Sequence, residues 1–396
     1  FAWTILAYLS LDIILEYLVS KSFVPQIRLH EGNENNPVVA EKFMANLSKT
    51  LAHLFSKNMR SNSQGFRIHT LNQYTATNGL SSLYSVLPKV FSKTSSTREQ
   101  VAEADRLKKL AIVVVSSRES DAMFRHEPRK NRIANLIGEA IGVERSPDGR
   151  IRVERLQTFV GKETVRQLYV TPKVLMDTIA HLYADGYQDI VYIAQTPYSS
   201  TLHITRTNTD DELYFMSGQL IQYLKQNLDN LTIYPVFFDK YYVRKLQDCE
   251  GESSWAIEDT QELTRLWDDP RQQAVVFFNL LTGFTVKTRN NDRFYNGAIS
   301  YSTLLNIYRG VLDDRNIRQG LIYDGPLKQQ ILESMALLHF SRFEKNTQRN
   351  FKLDPYQTII GEKSCSALST FDAMSLGIEF NSLAFLSEVS QVLNKF

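Results

Sequence analysis

The sequence predicts an α/β fold in which a mostly parallel sheet is flanked by helices and preceded by an N-terminal helical region. From Leu110 onwards, apolar runs of strand length, rich in β-branched residues, alternate with segments whose apolar residues recur at helical spacing. This alternation is typical of parallel sheets with right-handed crossovers. Before Leu110 the apolar residues follow helical patterns, interrupted by a polar stretch at 58–79.

Each element has its own signal in the sequence. Apolar runs predict strands at 110–117, 150–160, 189–194, 231–238, 274–281 and 320–323. Helical spacing predicts helices at 129–142, 173–185, 209–228, 260–267, 300–312, 326–342 and 382–394. Gly186 is placed to end the second helix in a left-handed conformation. Thr209 and Glu212 form a capping box, and Pro235 predicts an edge position or a bulge in its strand.

The length of 396 residues suits two or three domains, or one large α/β domain with a helical appendage. The change of pattern predicts three regions: an N-terminal helical region at 1–109, an α/β domain at 110–325, and a C-terminal helical extension at 326–396 that packs on the α/β domain. The sequence begins at Phe1 without a methionine, which predicts that it is a piece of a longer protein.

Composition excludes some classes of function. A net charge of +2 argues against a general polyanion binder, because such proteins concentrate a strong excess of basic residues. The two cysteines, Cys249 and Cys365, match no metal spacing, so a reducing, cytoplasmic location is predicted. The opening segment has the apolar density of a membrane span, but Asp12 and Glu16 oppose that interpretation, since carboxylates are costly inside a bilayer. No membrane contact is therefore predicted.

Connections in the α/β part differ in length according to their direction. Those from helix to strand are short, whereas those from strand to helix are long and polar: 116–128, 195–209, 239–259 and 282–297. Loops beyond about 12 residues are uncommon in compact domains unless they are functional or disordered. In an open parallel sheet these connections emerge at one edge, where ligands bind. The sequence therefore predicts a ligand site at that edge; contacts with the helical region or another subunit are the alternative.

Polar side chains at this edge are the candidate ligand-binding residues. They are Ser116, Ser117, Arg118, Thr196, Ser199, Ser200, Lys240 and Asn279. The 195–209 loop carries no carboxylate, and its hydroxyls precede a predicted helix N-terminus, where backbone N–H groups favour phosphate. No glycine-rich nucleotide loop is present, since neither G-x-x-x-x-G-K-[ST] nor G-x-G-x-x-G occurs. A loop that only caps its own helix is an equal alternative.

Two of these segments also supply candidates for catalysis. His203 could act as a general base or as a proton donor, although a lone histidine is more often structural. Asp239 ends a predicted strand, and with Asp121 and Asp324 it could hold Mg²⁺ through oxygen ligands. Turn formation explains carboxylates at strand ends more often. The sequence has no zinc, EF-hand, kinase or serine-hydrolase signature.

A basic stripe follows the helix predicted at 326–342. Its members are Arg342, Lys345, Arg349 and Lys352, spaced by three, four and three residues and interleaved with phenylalanines. On a helix this spacing aligns the four side chains on one face, where they could follow a nucleic-acid backbone. A solvated helix face is the commoner explanation of such spacing.

Together these features predict an α/β protein that binds a phosphate-bearing ligand, nucleic acid or nucleotide, as part of a larger complex. If it is an enzyme, hydrolysis or transfer at phosphorus is the predicted class, with His203 and Asp239 as participants. Partner proteins or further domains of a longer chain are expected. The alternative is a non-catalytic interaction or scaffold subunit, in which the long loops and the N-terminal helix dock partner proteins.

Overall fold

The computed structural model describes residues 1–17, 22–23, 26–29, 37–56, 60–61, 64–67, 86–92, 107–119, 128–195, 217–247, 253–257, 274–287, 292–305, 308, 310–313, 315–342, 370–373 and 378–393. In some of these ranges, including 238–247, 281–287 and 292–298, only the backbone is described. The predicted helix at 260–267 and the capping box at 209–212 lie outside the described residues.

The described helices are α1 (Ala2–Glu16), α2 (Pro37–Leu54), α3 (Val165–Val170), α4 (Lys173–Ala184), α5 (Gly218–Asn227), α6 (Pro326–Ser341) and α7 (Ser382–Leu393), with a π-helix at Arg315–Ile322 and a 3-10 turn at Arg129–Asn131. The described strands are β1 (Ser22–Phe23), β2 (Gln26–Leu29), β3 (Arg60–Ser61), β4 (Gln64–Arg67), β5 (Lys89–Ser92), β6 (Lys109–Glu119), β7 (Ile133–Arg145), β8 (Arg150–Thr164), β9 (Asp189–Gln195), β10 (Thr232–Gln247), β11 (Ser253–Ile257), β12 (Ala274–Lys287), β13 (Asp292–Leu304), β14 (Thr370–Ala373) and β15 (Ile378–Asn381).

Nine of these strands form one sheet in the order β12-β13-β10-β9-β6-β7-β8-β5, with β11 paired to β10. The prediction of a mostly parallel sheet is wrong. Only the β6–β9 and β9–β10 pairings are parallel, whereas the other six pairings of this sheet are antiparallel. The parallel part is the central trio that the buried runs and crossover helices predicted, and antiparallel strands extend it on both sides.

The main source of this error is β7, which was predicted as the helix at 129–142. Its apolar residues fit helical spacing, but the segment pairs along its length with β6 and β8. Gly138 permits this close packing, because a Cβ there would lie 2.1 Å from the Phe159 ring and 2.5 Å from the carbonyl oxygen of Val114. Tertiary pairing therefore overrides the local helical pattern.

Four further predictions, for segments between residues 239 and 323, are also wrong. The helix predicted at 300–312 is strand β13 as far as Leu304, and the strand predicted at 320–323 belongs to the π-helix. The long connections predicted at 239–259 and 282–297 are largely strands, since β10 continues to pair with β11 and β12 continues to pair with β13. These strands were not predicted because their residues are largely polar, whereas a continuous apolar run is the feature that predicts a buried strand.

Helices cover both faces of the sheet. On one face, α3, α4 and α5 pack against alternate residues of the central trio, such as Val113 and Tyr192. On the other face, α6 packs through Met335 and its neighbours against the intervening residues, such as Val114 and Ile193. The central strands are therefore buried on both faces, which explains their continuous apolar runs.

The N-terminal and C-terminal helices form a separate layer. Tyr8 of α1, Leu47 and Leu51 of α2 and Leu386 of α7 share one apolar cluster, and Leu383 of α7 joins this layer to the sheet at β7. The region predicted as helical also supplies β5, which pairs antiparallel with the edge of β8. No described helix is long and apolar enough to span a bilayer.

Two local predictions are explained by the pairing pattern. Pro235 lies in central strand β10, where it pairs with Tyr192 of β9 on one side. The pairing of β10 with β13 on the other side begins only at Phe237, so Pro235 occupies a position with one strand neighbour in the described register. Gly186 has φ 87°, and it follows α4 in the left-handed conformation that was predicted.

Candidate functional site

The strands that precede the four long connections all run in the same direction. β6, β9 and β10 are mutually parallel. β12 has the same direction as β10, because each of them is antiparallel to β13, which lies between them. The carboxyl-terminal ends of these four strands therefore lie at one edge of the sheet, which we call the rim. This edge arises in a mixed sheet and does not require the sheet to be parallel throughout.

At the rim, β6 and β10 continue beyond the last described residue of β9. Val115 of β6, Ala194 of β9 and Phe237 of β10 lie at one level. The described part of β9 ends at Gln195, whereas β6 continues to Glu119, about 13 Å beyond this level at about 3.3 Å per residue. On the side of β10 that carries β9, β11 begins to pair at Val243. We call the stretch between Gln195 and β11, where β6 faces β10, the notch.

The notch has the width of one strand. Neighbouring strands lie about 4.8 Å apart, so the backbones of β6 and β10 are separated by about 10 Å across it. Counting from the shared level, Ser117 of β6 stands opposite Asp239 of β10, and Arg118 stands opposite Lys240. The fold therefore brings the predicted residues of two distant segments to facing sides of one notch.

The serines at the β6 side lie on the strand and not on a loop. Ser116 pairs with Ile137 and Ser117 with Leu136, both on β7. Ser116 is only 1% exposed and lies on the same face as Val114, towards α6, whereas Ser117 is half-buried. Of the two hydroxyls, Ser117 is the one with access to a ligand.

The β10 side of the notch continues laterally into β13 and β12. Asp239 pairs with Ser300, and Ser300 pairs with Asn279. The Ser300 hydroxyl donates a 2.6 Å hydrogen bond to Oδ1 of Asn279, and Asn279 is exposed. Because the Asn279 oxygen accepts this bond, the orientation of its side-chain amide is fixed, and the NH₂ group remains available as a donor. The side chains of Arg118, Asp239 and Lys240 lie outside the described residues.

The segment that follows Gln195 leads into α5. Thr196, Ser199, Ser200 and His203 belong to it and lie outside the described residues. Ser217 caps the helix: its hydroxyl oxygen accepts a 3.1 Å bond from the Leu220 amide and donates a 2.6 Å bond to the carbonyl of Tyr169. The Leu220 amide is thus satisfied by the chain itself. The other amides in the first turn of α5 are the ones that could donate to a phosphate.

Asp324 is placed at the opposite edge of the sheet. It lies just before α6 and pairs with Lys328 at 3.1 Å. Further along α6, the Gln330 side-chain oxygen accepts a 2.6 Å bond from the amide of Leu107, at the start of β6. The structure therefore separates Asp324 from Asp239. Asp121 lies outside the described residues, and these contain no cluster of three or more His, Cys, Asp or Glu side chains suited to a metal ion.

The basic stripe begins at a buried carboxylate. Arg342 caps the C-terminus of α6, and its guanidinium donates a hydrogen bond to Oε1 of Glu139 on β7. The Nε of Arg155 on β8 lies 3.3 Å from the other oxygen, Oε2. Glu139 is 3% exposed, so Arg342 has a structural role that ties α6 to the sheet. Lys345, Arg349 and Lys352 lie outside the described residues.

Burial lowers the pKa of two basic side chains around Glu139. The pKa of Arg155 is lowered to about 10 by burial. The pKa of Lys89, on β5, is lowered to about 8, first by burial and then by the nearby charge of Arg342. Lys89 is 6% exposed and donates a 3.2 Å hydrogen bond to the carbonyl of Leu87. This group of Lys89, Glu139, Arg155 and Arg342, which we call the buried charge cluster, joins β5, β7, β8 and α6.

His53 joins α2 to the edge of the same cluster. Its Nε2 lies 3.3 Å from the carbonyl oxygen of Phe159, and the Thr158 hydroxyl donates a 2.6 Å bond to the His53 carbonyl. Burial lowers the pKa of His53 to about 4, the Phe159 carbonyl opposes this shift, and the charge of Arg155 adds to it. Folding therefore favours the neutral imidazole.

We expect the stability of the protein to fall by about 2 kcal/mol between pH 7 and pH 5 because of His53 alone. The folded pKa lies below the unfolded value of 6.5, so the stabilisation is complete above pH 6.5 and is lost as the pH falls towards 4. Urea unfolding at both pH values would measure it. His53→Gln should remove about 2 kcal/mol of this pH dependence; an unchanged dependence would contradict a buried neutral His53.

The buried charge cluster was missed by the sequence analysis. Glu139 is the only charged residue in the apolar run 133–143, and a lone carboxylate in such a run is a signal of a buried charge that needs a partner. Arg155 lies next to a bulge in the pairing of β8 with β7. No local pattern identifies Arg155, Lys89 or His53 as partners, because they come from three separate elements.

Comparison of the sequence with family models finds no match, and comparison with characterised proteins finds none of significance. Among solved structures, the chain is similar to the NurA nuclease from Sulfolobus solfataricus, with 11% identity and a TM-score of 0.25; the match covers 73% of this chain and 85% of that chain. A similarity at this level carries no information about what this chain binds.

Proposed function

We propose that the notch binds a phosphate group of a nucleotide or of a single-stranded nucleic acid. The observation that carries the proposal is that the parallel strands β6, β9 and β10 have their carboxyl ends at one edge of the sheet, where β6 and β10 face each other beyond Gln195. Ligands of α/β proteins bind in crevices at this position. A gap of about 10 Å between the strand backbones suits one extended chain or one nucleotide.

The residue types at the notch suit phosphate. By the alternation of strand residues, Arg118 and Lys240 lie on one face of the sheet and bring one positive charge to each side of the notch. Ser117, which is half-buried, and Asp239 border the notch from the other face. Arginine and lysine supply most contacts to phosphate oxygens, and hydroxyls and amides add to them. Thr196, Ser199 and Ser200 follow Gln195 in sequence and carry further hydroxyls without any carboxylate among them.

If the protein is also an enzyme, transfer or hydrolysis at phosphorus is the reaction that these residues favour. Asp239 would then supply a carboxylate beside the bound phosphate, either as a base or as a ligand to Mg²⁺. His203, eight residues beyond Gln195, would act as the proton donor or acceptor. These roles follow from the position of each residue in the sequence and along β10.

We expect Arg118→Ala combined with Lys240→Ala to raise the Kd for a labelled single-stranded oligonucleotide about tenfold or more. The slope of log K against log salt should also fall by about 1.4, since each lost phosphate contact removes about 0.7 for single strands. Fluorescence anisotropy at several salt concentrations measures both quantities. Arg150→Ala combined with Arg152→Ala is the matched control, because that turn between β7 and β8 lies at the opposite edge of the sheet.

The same experiment separates the notch from the basic stripe. Lys345→Ala combined with Arg349→Ala tests the stripe, whereas Arg342 is unsuitable because its guanidinium binds Glu139. A thermal-shift series with nucleotides and Mg²⁺ tests the smaller ligand. The proposal fails if neither oligonucleotides at low salt nor nucleotides bind. It also fails if the notch variant and its control bind equally well.

A further inference from the structure

Within the described part of the chain, helix α1 packs on its neighbours through one side. Tyr8 and Leu15 are each 6% exposed, and Tyr8 packs in the cluster formed with α2 and α7, where its ring stacks on Phe55 at 5.1 Å. Thr4 on the same side is fully buried. Three buried residues at positions 4, 8 and 15 therefore define the side of α1 that faces its own chain.

The opposite side of α1 is an exposed apolar stripe. Its members are Trp3 at 77%, Leu6 at 55%, Ile13 at 58%, Ile14 at 55% and Tyr17 at 81% exposure. Together with exposed Ser10, positions 3, 6, 10, 13 and 17 alternate in steps of three and four residues. This is the spacing with which one helix packs along another. The stripe carries no charged residue.

We propose that this stripe pairs with the same stripe of a second copy of the chain, with the two α1 helices antiparallel. The stripe is symmetric about Ser10: Trp3 and Tyr17 lie seven residues on either side of it, and Leu6 and Ile14 lie four residues on either side. A two-fold axis at Ser10 places Trp3 opposite the partner's Tyr17 and Leu6 opposite the partner's Ile14, whereas Ile13 faces the partner's Ala7, outside the stripe. Two-fold dimers require such self-complementary surfaces.

The area of the stripe suits a dimer. Trp3 and Tyr17 form the aromatic part of the stripe, at 77% and 81% exposure. Because an aromatic side chain buries ~150–250 Å², these two residues alone expose roughly 240–400 Å². The three aliphatic residues, each more than half exposed, add to this. A standard protein interface buries about 800 Å² per partner, and a single helix of this kind supplies most of that.

Charge favours the antiparallel arrangement over the parallel one. Glu16 is exposed at the last residue of α1, where its charge is unfavourable beside the negative end of its own helix dipole. An antiparallel partner brings its positive first turn to the level of Glu16. A parallel partner would instead place two Glu16 side chains at the same level. The geometry points to the antiparallel pair.

Sedimentation or light scattering of the full chain from about 0.1 to 100 µM tests the proposal, since this range covers micromolar dissociation constants. We expect a dimer whose Kd rises at least about 100-fold in Leu6→Glu combined with Ile14→Glu, because this variant places carboxylates opposite carboxylates. Leu6→Glu combined with Ile14→Lys should remain dimeric, since opposite charges then meet across the axis. In a parallel pair the same variant would place like charges together.

Val90→Glu is the control for adding charge to an exposed apolar position, because Val90 is 60% exposed on β5, away from α1. Circular dichroism and thermal unfolding at low concentration verify that each variant is folded. A wild-type chain that is monomeric throughout the range overturns the proposal without any variant. A dimer that persists in Leu6→Glu with Ile14→Glu overturns it as well, and a monomeric Leu6→Glu with Ile14→Lys excludes the antiparallel pair.

Discussion

Replacing Glu139 with alanine is expected to lower the free energy of unfolding by about 3–5 kcal/mol, the usual cost of removing one partner from a buried ion pair. Glu139 is 3% exposed and receives Arg342 on one oxygen and Arg155 on the other. Without the carboxylate, two guanidinium groups that are largely shielded from water lose the negative charge between them. Urea unfolding at pH 7 measures the loss.

Glu139→Gln separates charge from shape, because the amide keeps the size and one acceptor oxygen but removes the negative charge. Glu139→Gln should therefore recover only a minor part of the free energy of unfolding that Glu139→Ala loses. Glu333→Gln is the matched control on α6: Glu333 also binds an arginine, Arg145, at 3.2 Å, but its side chain is 40% exposed. Arg145 is 9% exposed but also donates to the Gln330 carbonyl and the Ser334 hydroxyl, so we expect Glu333→Gln to cost only about 1 kcal/mol. Equal losses in the two glutamine variants would contradict a buried cluster at Glu139.

A double-mutant cycle assigns the loss to the ion pair. In an Arg342→Met background, Glu139→Gln should cost less than it does in the wild type, because one of the two cations is already absent. A coupling energy of about 1–3 kcal/mol is expected for residues in direct contact. Coupling near zero would show that Arg342 and Glu139 act independently in solution.

The position of Glu139 also shows why the sheet was only partly predictable. Strands 110–117, 189–194, 231–238 and 274–281 are confirmed. Burial on both faces gives the first three a continuous apolar run, whereas 274–281 belongs to edge strand β12 and is only partly buried. β7 is buried as deeply as the first three, but its apolar residues are interrupted by Gly138, Glu139 and Gly142 in a spacing that also fits a helix. Only the pairing with β6 and β8 decides between the two structures.

Polar strands were the second difficulty. The distal part of β10, with Lys240, Arg244 and Gln247, has the composition of a loop, and so does the β12–β13 hairpin. These segments are strands because each has a partner: β10 continues against β13 and β11, and β12 continues against β13. Pairing between segments that are distant in sequence is a tertiary property, and local composition does not reveal it.

The direction of the strands around the candidate site could be predicted from the sequence, but the shape of the site could not. The four predicted strands do run in one direction, but β13 lies between β10 and β12 in the opposite direction. The prediction that each strand leads through a long loop to a helix is wrong for β6, β10 and β12, because the next described strands are β7, β11 and β13. The notch itself depends on how far β6 and β10 continue beyond Gln195. The lengths of β6 and β10 were underestimated, because the predicted strands ended at Ser117 and Phe238.

Gly138→Ala is expected to destabilise the protein by about 3 kcal/mol or more, at the upper end of the cost of overpacking. The new Cβ would lie 2.1 Å from Cζ of Phe159 and 2.5 Å from the backbone oxygen of Val114. The ring of Phe159 can move only at the expense of its own packing, since it is 5% exposed. The oxygen of Val114 belongs to central strand β6 and cannot move without shifting the sheet.

The two contacts can be tested separately. Phe159→Leu in the Gly138→Ala background relieves the ring contact and should recover part of the loss, whereas the contact with Val114 remains. Gly325→Ala is the control, because a Cβ at Gly325 meets no atom within 4 Å, and its effect should stay within about 1 kcal/mol. If Gly138→Ala were as mild as Gly325→Ala in urea unfolding, β7 would not lie this close to Phe159. The register that places Glu139 opposite Val114 and Thr158 would then be wrong as well.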